Sequence, residues 1–365
     1  MKKFVALLLA AMMLLSVAAF ASADEEMRVA LITDVGTITD QSFNQTTYEA
    51  MVAWCQEHDV DYTYYQPASD TDADRVAMID TAAEEGYTVL LMPGYKFGRA
   101  IGEVQSEYSD IQIVALDVGE GDLGGAELAS NVYCAVYQEE LCGYMAGYAA
   151  VKLGYKHLGF LGGMAVPAVV RYGYGFVQGA NDAAAELEIA DQVTIEYVYG
   201  NQFYGDADIT AYMDTWYQSM GVEVVFACGG GIYTSAAEAA AKVGAKVIGV
   251  DVDQAATIDG DYGEGMTVTS AMKGLGATVN TLLTEIQAGN FANYGGKVDT
   301  LGLVSDVPAE NYVQIAPSTQ FAETFTEEDY NTLVAAMFAG EVEVSNAIDA
   351  EPETAITVNY LGNIN

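Results

Sequence analysis

The sequence predicts an α/β protein built from two doubly wound lobes. Three observations predict it. Short apolar runs alternate with helical stretches along the chain, the rhythm of parallel strands joined by covering helices. The apolar runs are nearly continuous, as strands buried on both faces require. The alternation also comes as two successive series, and 365 residues is long for one core and natural for two.

In the first series, 27–34 (MRVALITD) reads as a buried strand, 43–57 as a helix and Asp61–Tyr65 as a strand. A helix over 72–85, a strand over 88–93 (TVLLMP), a helix over 96–109 and a strand over 112–118 (QIVALDV) follow. A Gly- and acid-rich loop, 119–129, leads to 131–137 (NVYCAVY), a candidate for the first strand to cross between lobes. The second series places helices over 138–152, 172–187, 207–220 and 234–243, and strands over His157–Gly162, Thr194–Tyr199, 223–227 and 246–252 (KVIGVDV). Then come a polar, Gly-rich stretch (253–265), a short strand (266–270) and a helix (274–289). Short strands at 301–304 and 312–315 and a helix at 327–339 complete the reading. The division this suggests is 24–136 with 253–290 in an N-terminal lobe, and 137–252 with 291–365 in a C-terminal lobe. Several crossings between lobes make a hinge that bends without the lobes separating.

The first residues have the pattern of an export signal. Lys2 and Lys3 precede an apolar run over 4–15, and Ala21-Ser22-Ala23 stands before Asp24, giving charged, apolar and cleavage regions in order. The apolar run is shorter than the roughly 20 residues of a membrane span. Residues 1–23 are therefore expected to be a signal peptide cleaved after about Ala23, with the mature protein periplasmic or extracellular. The first cysteine is Cys55, so the lipid-attachment cysteine of bacterial lipoproteins is absent.

A formal charge of −39 repels phosphate backbones and anionic lipid, so no nucleic-acid partner is expected. With 52% hydrophobic residues and 25 tyrosines the chain reads as folded despite that charge. Cys55, Cys134, Cys142 and Cys228 are irregularly spaced, without CxxC. They read as buried free thiols rather than a disulfide framework or zinc site, although an oxidising compartment would allow one bridge. The two histidines, His58 and His157, fit no HExxH spacing, and no GxSxG elbow or phosphate-cradling loop occurs. No catalytic group, metal or cofactor is expected.

Ligands of doubly wound sheets collect at the carboxyl ends of strands. The first strand ends at Asp34, followed by Asp40, Ser42, Phe43, Asn44 and Gln45. An aromatic beside hydrogen-bonding groups suits a planar heterocycle. The competing reading makes Asp40 or Ser42 a helix cap and Phe43 a core contact. The strand at 223–227 runs into Gly229-Gly230-Gly231 and then Tyr233, either a close approach to a ligand with a second aromatic face or a tight turn. The strand at 246–252 presents Asp251, a carboxylate suited to vicinal hydroxyls. Lys273 is one of only 13 Lys and Arg residues, a partner for such a carboxylate or a solvated surface charge.

These residues resemble the basic membrane protein (Bmp) family of bacterial substrate-binding proteins, which includes purine nucleoside receptors of ABC importers. The resemblance is carried by Asp34-x-Gly36-x-x-x-Asp40-x-Ser42-Phe43-Asn44-Gln45, by Pro93-Gly94-Tyr95-x-Phe97 and by Tyr144-Met145-Ala146-Gly147. It continues through Gly159–Gly163, Gly175-Phe176-x-x-Gly179-Ala180, Gln202-Phe203-x-x-Asp206, Ile248–Gln254, and Ser270 with Lys273. It implies the type I periplasmic-binding fold, two Rossmann-like lobes joined by three crossings. It further implies a monomer that hands a nucleoside to an ABC permease. Phe43 and Tyr233 would sandwich the base, Asp34 and Ser42 would meet its edge, Asp251 and Lys273 would hold the ribose, and Glu139 would stand at the ligand. Other open readings are a different small solute (a sugar, free base or signalling molecule), a sensory role, and an exported nucleoside hydrolase.

Overall fold

The computed structural model describes residues 26–364 apart from Val35; the expected signal peptide and its cleavage site lie outside the described residues. Two sheets organise the chain. Strands β1 (Arg28–Ile32), β2 (Asp61–Tyr65), β3 (Val89–Pro93), β4 (Gln112–Leu116), β5 (Val132–Tyr137) and β11 (Lys297–Leu301) form the first, all parallel, in the order β2-β1-β3-β4-β5-β11. Helices α1 (Phe43–His58), α2 (Asp72–Glu84) and α3 (Phe97–Val104) cover it, and α9 (Leu275–Gln287) packs on α1.

The second sheet contains β6 (His157–Gly162), β7 (Thr194–Tyr199), β8 (Val224–Cys228), β9 (Lys246–Asp251), β10 (Thr267–Lys273), β12 (Val313–Ile315) and β13 (Thr357–Asn363), ordered β12-β10-β9-β8-β6-β7-β13. Its β10–β12 pair is antiparallel and the rest are parallel. Helices α4 (Glu139–Lys152), α5 (Pro167–Glu186), α6 (Ala207–Asp214), α7 (Tyr233–Ala241), α8 (Ala255–Tyr262) and α10 (Glu327–Phe338) belong with it. The central strands are buried along their length, among them β3 and β8, which is why their sequences are continuously apolar. All four cysteines are buried and free.

Sheet membership corrects the expected division of the chain. Residues 253–273 stay with the second sheet, because the polar stretch after Val252 folds as α8, which buries Ile258, and β10 then pairs with β9. Residues 275–301 return to the first lobe, where α9 packs on α1 and β11 pairs with β5. The crossings therefore lie between Tyr137 and Glu139, between Lys273 and Leu275, and over 302–312. They run side by side. Gln138 N donates to Leu301 O at 3.0 Å, Gly274 N to Tyr312 O at 2.7 Å and Tyr312 N to Gly302 O at 3.0 Å. Bending at this hinge must carry all three segments together.

Helices α4 and α5 make the closest helix pair. Both carry glycines four residues apart, Gly143 and Gly147 on α4 and Gly175 and Gly179 on α5. A methyl group on any of them would run into a carbonyl oxygen of the other helix: Tyr172, Phe176, Glu140 and Tyr144 respectively. The two backbones touch, and this contact fixes the first turn of α4 against Arg171 and Tyr172 of α5. Gly175→Ala should lower the unfolding free energy by about 1–3 kcal/mol in urea titration. Gly260→Ala on α8, where an added methyl meets nothing within 4 Å, should leave it unchanged or slightly raised. Equal stability of the two variants would contradict the backbone contact.

Candidate functional site

The carboxyl ends of the strands of both lobes face one cavity. Asp34, Phe43, Asn44 and Asp117 line it from the first lobe, and Tyr172, Phe203, Asp251 and Lys273 from the second. About 660 Å3 of space lies between these residues, counting what is open to solvent at the mouth.

The first-lobe wall is built by Asp40. Its Oδ1 accepts from Ser42 N at 2.9 Å and Gln45 N at 3.0 Å, and its Oδ2 from Asn44 N and Asn44 Nδ2, both at 3.0 Å. Asp40 thus caps α1, and burial nonetheless pushes its carboxyl upward. Asn44 Nδ2 also donates to Asp34 Oδ1 at 3.2 Å. Two carboxylates can only take the amide's N–H groups, so Asn44 Oδ1 is left facing away from them, buried and without a hydrogen-bond partner among the described residues. Gly94, at φ 129°, lets β3 pass Asp34; a Cβ there would lie 2.7 Å from Asp34 Oδ2.

The floor is a charge cluster. Lys273 Nζ, on a residue only 6% exposed, stands 2.6 Å from Asp117 Oδ2, 3.6 Å from Asp251 Oδ1 and 3.7 Å from Glu139 Oε1. It also lies 4.6 Å from the ring centre of Phe43, a cation–π distance. Burial opposes its charge, yet Asp117, Asp251 and Glu139 outweigh burial and raise its pKa above the ordinary value, so the ammonium stays protonated. Asp251 is pushed up by burial against the pull of Lys273 and Ser42. Glu139 is likewise pushed up by burial, against Arg171, whose Nε donates to it at 2.6 Å, and Lys273. Asp117 and Asp251 both sit at strand ends in the left-handed region, φ 59° and 67°. Asp117 lines the cavity, and its Oδ1 is buried with no hydrogen-bond partner among the described residues.

Of the eight residues singled out by sequence, Asp34, Phe43, Asn44, Asp251 and Lys273 line the cavity. Three do not. Tyr233 is the first residue of α7 and is buried in the outer core of the second lobe with Ile209, Trp216 and Ala236; the chain has already turned into the helix by then. Gly229 and Gly230, at φ 153° and 51°, line the cavity and accommodate Phe203. A Cβ on Gly229 would lie 3.0 Å from the Phe203 ring, and one on Gly230 2.9 Å from Phe203 O. The second-lobe aromatic is Phe203, with Tyr172 beside it. Ser42 is fully buried and donates to Asp251 Oδ2 at 2.6 Å. Glu139, also fully buried, stands behind Lys273.

The Bmp family profile, described as ABC transporter substrate-binding protein PnrA-like, matches residues 27–333. The chain belongs to the Bmp family. It is 27% identical to the ABC transporter nucleoside-binding protein BmpA of Lactococcus lactis, over 76% of this chain and 79% of that one. It is 29% identical to the CD4+ T-cell-stimulating antigen of Listeria innocua, over 76% and 80%. Its fold is similar to an ABC transporter solute-binding protein of Aeropyrum pernix, with a TM-score of 0.67 at 20% identity, covering 88% of this chain and 87% of that one. The type I periplasmic-binding architecture is thus that of its neighbours. As a Bmp-family member the chain is a substrate-binding protein of an ABC transporter, taking a small molecule and working with a membrane permease.

Sequence reasoning missed Asp117 and Phe203 in this Bmp-family cleft. Asp117 had a signal: VALDV places an aspartate at its strand end as IGVDV places Asp251. Phe203 stood within a family motif but had no local feature to mark its direction.

Glu140, next to Glu139, is 3% exposed and its Oε2 lacks a hydrogen-bond partner among the described residues. Burial, reinforced by Glu139, raises its carboxyl from 4.5 to about 7. The folded state therefore holds a proton that the unfolded chain releases, and this group's contribution to stability falls as pH rises from about 4.5 to about 7. Glu140→Gln should raise Tm relative to the parent at pH 8, and the gain should vanish near pH 4.5. A pH-independent gain would contradict a buried, proton-holding carboxyl.

Proposed function

We propose that this Bmp-family protein binds a purine nucleoside between its lobes and that hinge closure presents it to the permease. The observation that carries the reading is that Phe43 and Phe203 come from opposite lobes to one cavity whose floor is the Asp117–Lys273–Asp251 cluster. In this reading the base stacks between the two phenyl rings, with Asn44 Oδ1 and Asp34 accepting from its N–H edge. The ribose hydroxyls donate to Asp117 Oδ1 and Asp251 and accept from Lys273. Phe203 takes the place first expected of Tyr233. The nucleoside-binding Lactococcus relative supports the ligand class. Export of the mature chain, cleaved after about Ala23, and action as a monomer belong to the same proposal.

The lining also argues for an uncharged ligand. Asp34, Asp40, Asp117 and Asp251 face the cavity with a single cation, Lys273. A phosphate brought among them would meet like charge, which costs several kcal/mol.

Isothermal titration with inosine, adenosine, guanosine, ribose, hypoxanthine and AMP tests this. A nucleoside should bind at micromolar Kd or tighter, and AMP at least about 100-fold more weakly than adenosine. Phe43→Ala and Phe203→Ala should each weaken nucleoside binding about 5- to 150-fold, the loss of one stacking face. Ribose binding as tightly as inosine, with Phe203→Ala silent, would overturn the assignment in favour of a sugar.

A further inference from the structure

Two motif residues, Ser42 and Gln254, are polar, buried and outside the cavity lining. Their bonds cross between lobes. Ser42 Oγ reaches from the start of α1 to Asp251 Oδ2 at 2.6 Å. Gln254 Nε2, at the start of α8, donates to Gln41 O at 2.9 Å. Thr257 Oγ1, one turn along α8, bonds Gln41 Oε1 at 3.0 Å.

The local chemistry explains why these groups are free to reach across. A serine before a helix ordinarily spends its hydroxyl on the helix's first amides. Here Asp40 has taken those amides, and Ser42 makes no capping bond of its own. Gln41 is held at φ 55°, and its side chain is fixed by Gln45, whose Oε1 accepts from Gln41 Nε2 at 2.8 Å. On the other lobe, Gln254 Oε1 accepts from Val250 N at 2.8 Å and its backbone N–H donates to Ser270 Oγ at 3.1 Å. Both sides are therefore held in place before they meet, so little ordering entropy opposes the bonds.

We infer that Gln41-Ser42 and Asp251, Gln254 and Thr257 form an interlobe latch, in which Ser42 is a positioning residue that couples cleft closure to the orientation of Asp251. The Ser42 bond occupies Asp251 Oδ2 and directs Oδ1 toward Lys273 and Tyr172. When the lobes part, the carboxylate loses its fixed orientation together with the latch. Residence of the ligand is then set by latch rupture as well as by the ligand's own contacts. The inference rests on the reading that the ligand lies in this cleft, and two readouts separate their failures.

The first readout is stopped-flow displacement of inosine from the full mature chain carrying Ser42→Ala, Thr257→Val or both. Both substitutions are small and keep the fold, which an unchanged Tm within a few degrees checks. The double variant should release inosine at least about 30-fold faster, from loss of one charge-assisted and one neutral hydrogen bond, with the association rate changed less than twofold. The second is small-angle X-ray scattering of the same proteins without nucleoside, where the double variant should show a larger radius of gyration than the parent. Unchanged release and an unchanged radius would overturn the latch. Slower association with unchanged release would also overturn it, because the residues would then guide entry rather than hold closure. If the parent binds none of inosine, adenosine and guanosine, the nucleoside reading fails and the scattering comparison alone decides the latch.

Discussion

One buried ammonium holds the two lobes of this protein in relation to each other. Lys273 ends β10 of the second sheet, yet its shortest contact is with Asp117 at the end of β4 in the first. Removing a charge from water costs several kcal/mol, and only well-placed partners recover it. Asp117, Asp251 and Glu139 supply that recovery, so the position of Lys273 constrains three other buried chains of atoms. Glu139 in turn needs Arg171, and Arg171 is held by the glycine-lined contact of α4 with α5. The chemistry of the cleft therefore depends on packing well outside it.

The hinge falls where this cluster sits. Lys273 is the last residue before the crossing at Gly274, and Glu139 is the first helical residue after the crossing at Gln138. Phe43 and Phe203 face the cavity from opposite lobes, and Ser42 bonds Asp251 across them.

Much of this was legible in the residues. Continuous apolar runs announced parallel strands, and the strand-end aspartates Asp34 and Asp251 and the scarce Lys273 fell at the cavity. What escaped was decided by tertiary approach. The 253–265 stretch read only as polar and Gly-rich because α8 buries little, and so the lobe boundaries were drawn too early. Tyr233 followed a glycine run and invited a ligand role, but those glycines accommodate the Phe203 loop arriving from β7, a meeting of distant segments with no local mark. Ser42 was assigned to the base edge by the family resemblance; of the two cap candidates, Asp40 takes the helix amides and Ser42 turns to Asp251. Asp117 was readable by analogy with Asp251 and was passed over inside its strand.

In the proposed binding mode, hydroxyls of a ring-bearing ligand are held by the carboxylates gathered around Lys273. Calorimetric titration of inosine against 2′,3′-dideoxyinosine tests it most directly, because the two share the base and differ only in those hydroxyls. A site built to bond hydroxyls rejects the analogue lacking them, since its buried charges are left unmatched. The dideoxy compound should bind at least about 100-fold more weakly; equal affinity would mean that the hydroxyls are not held there.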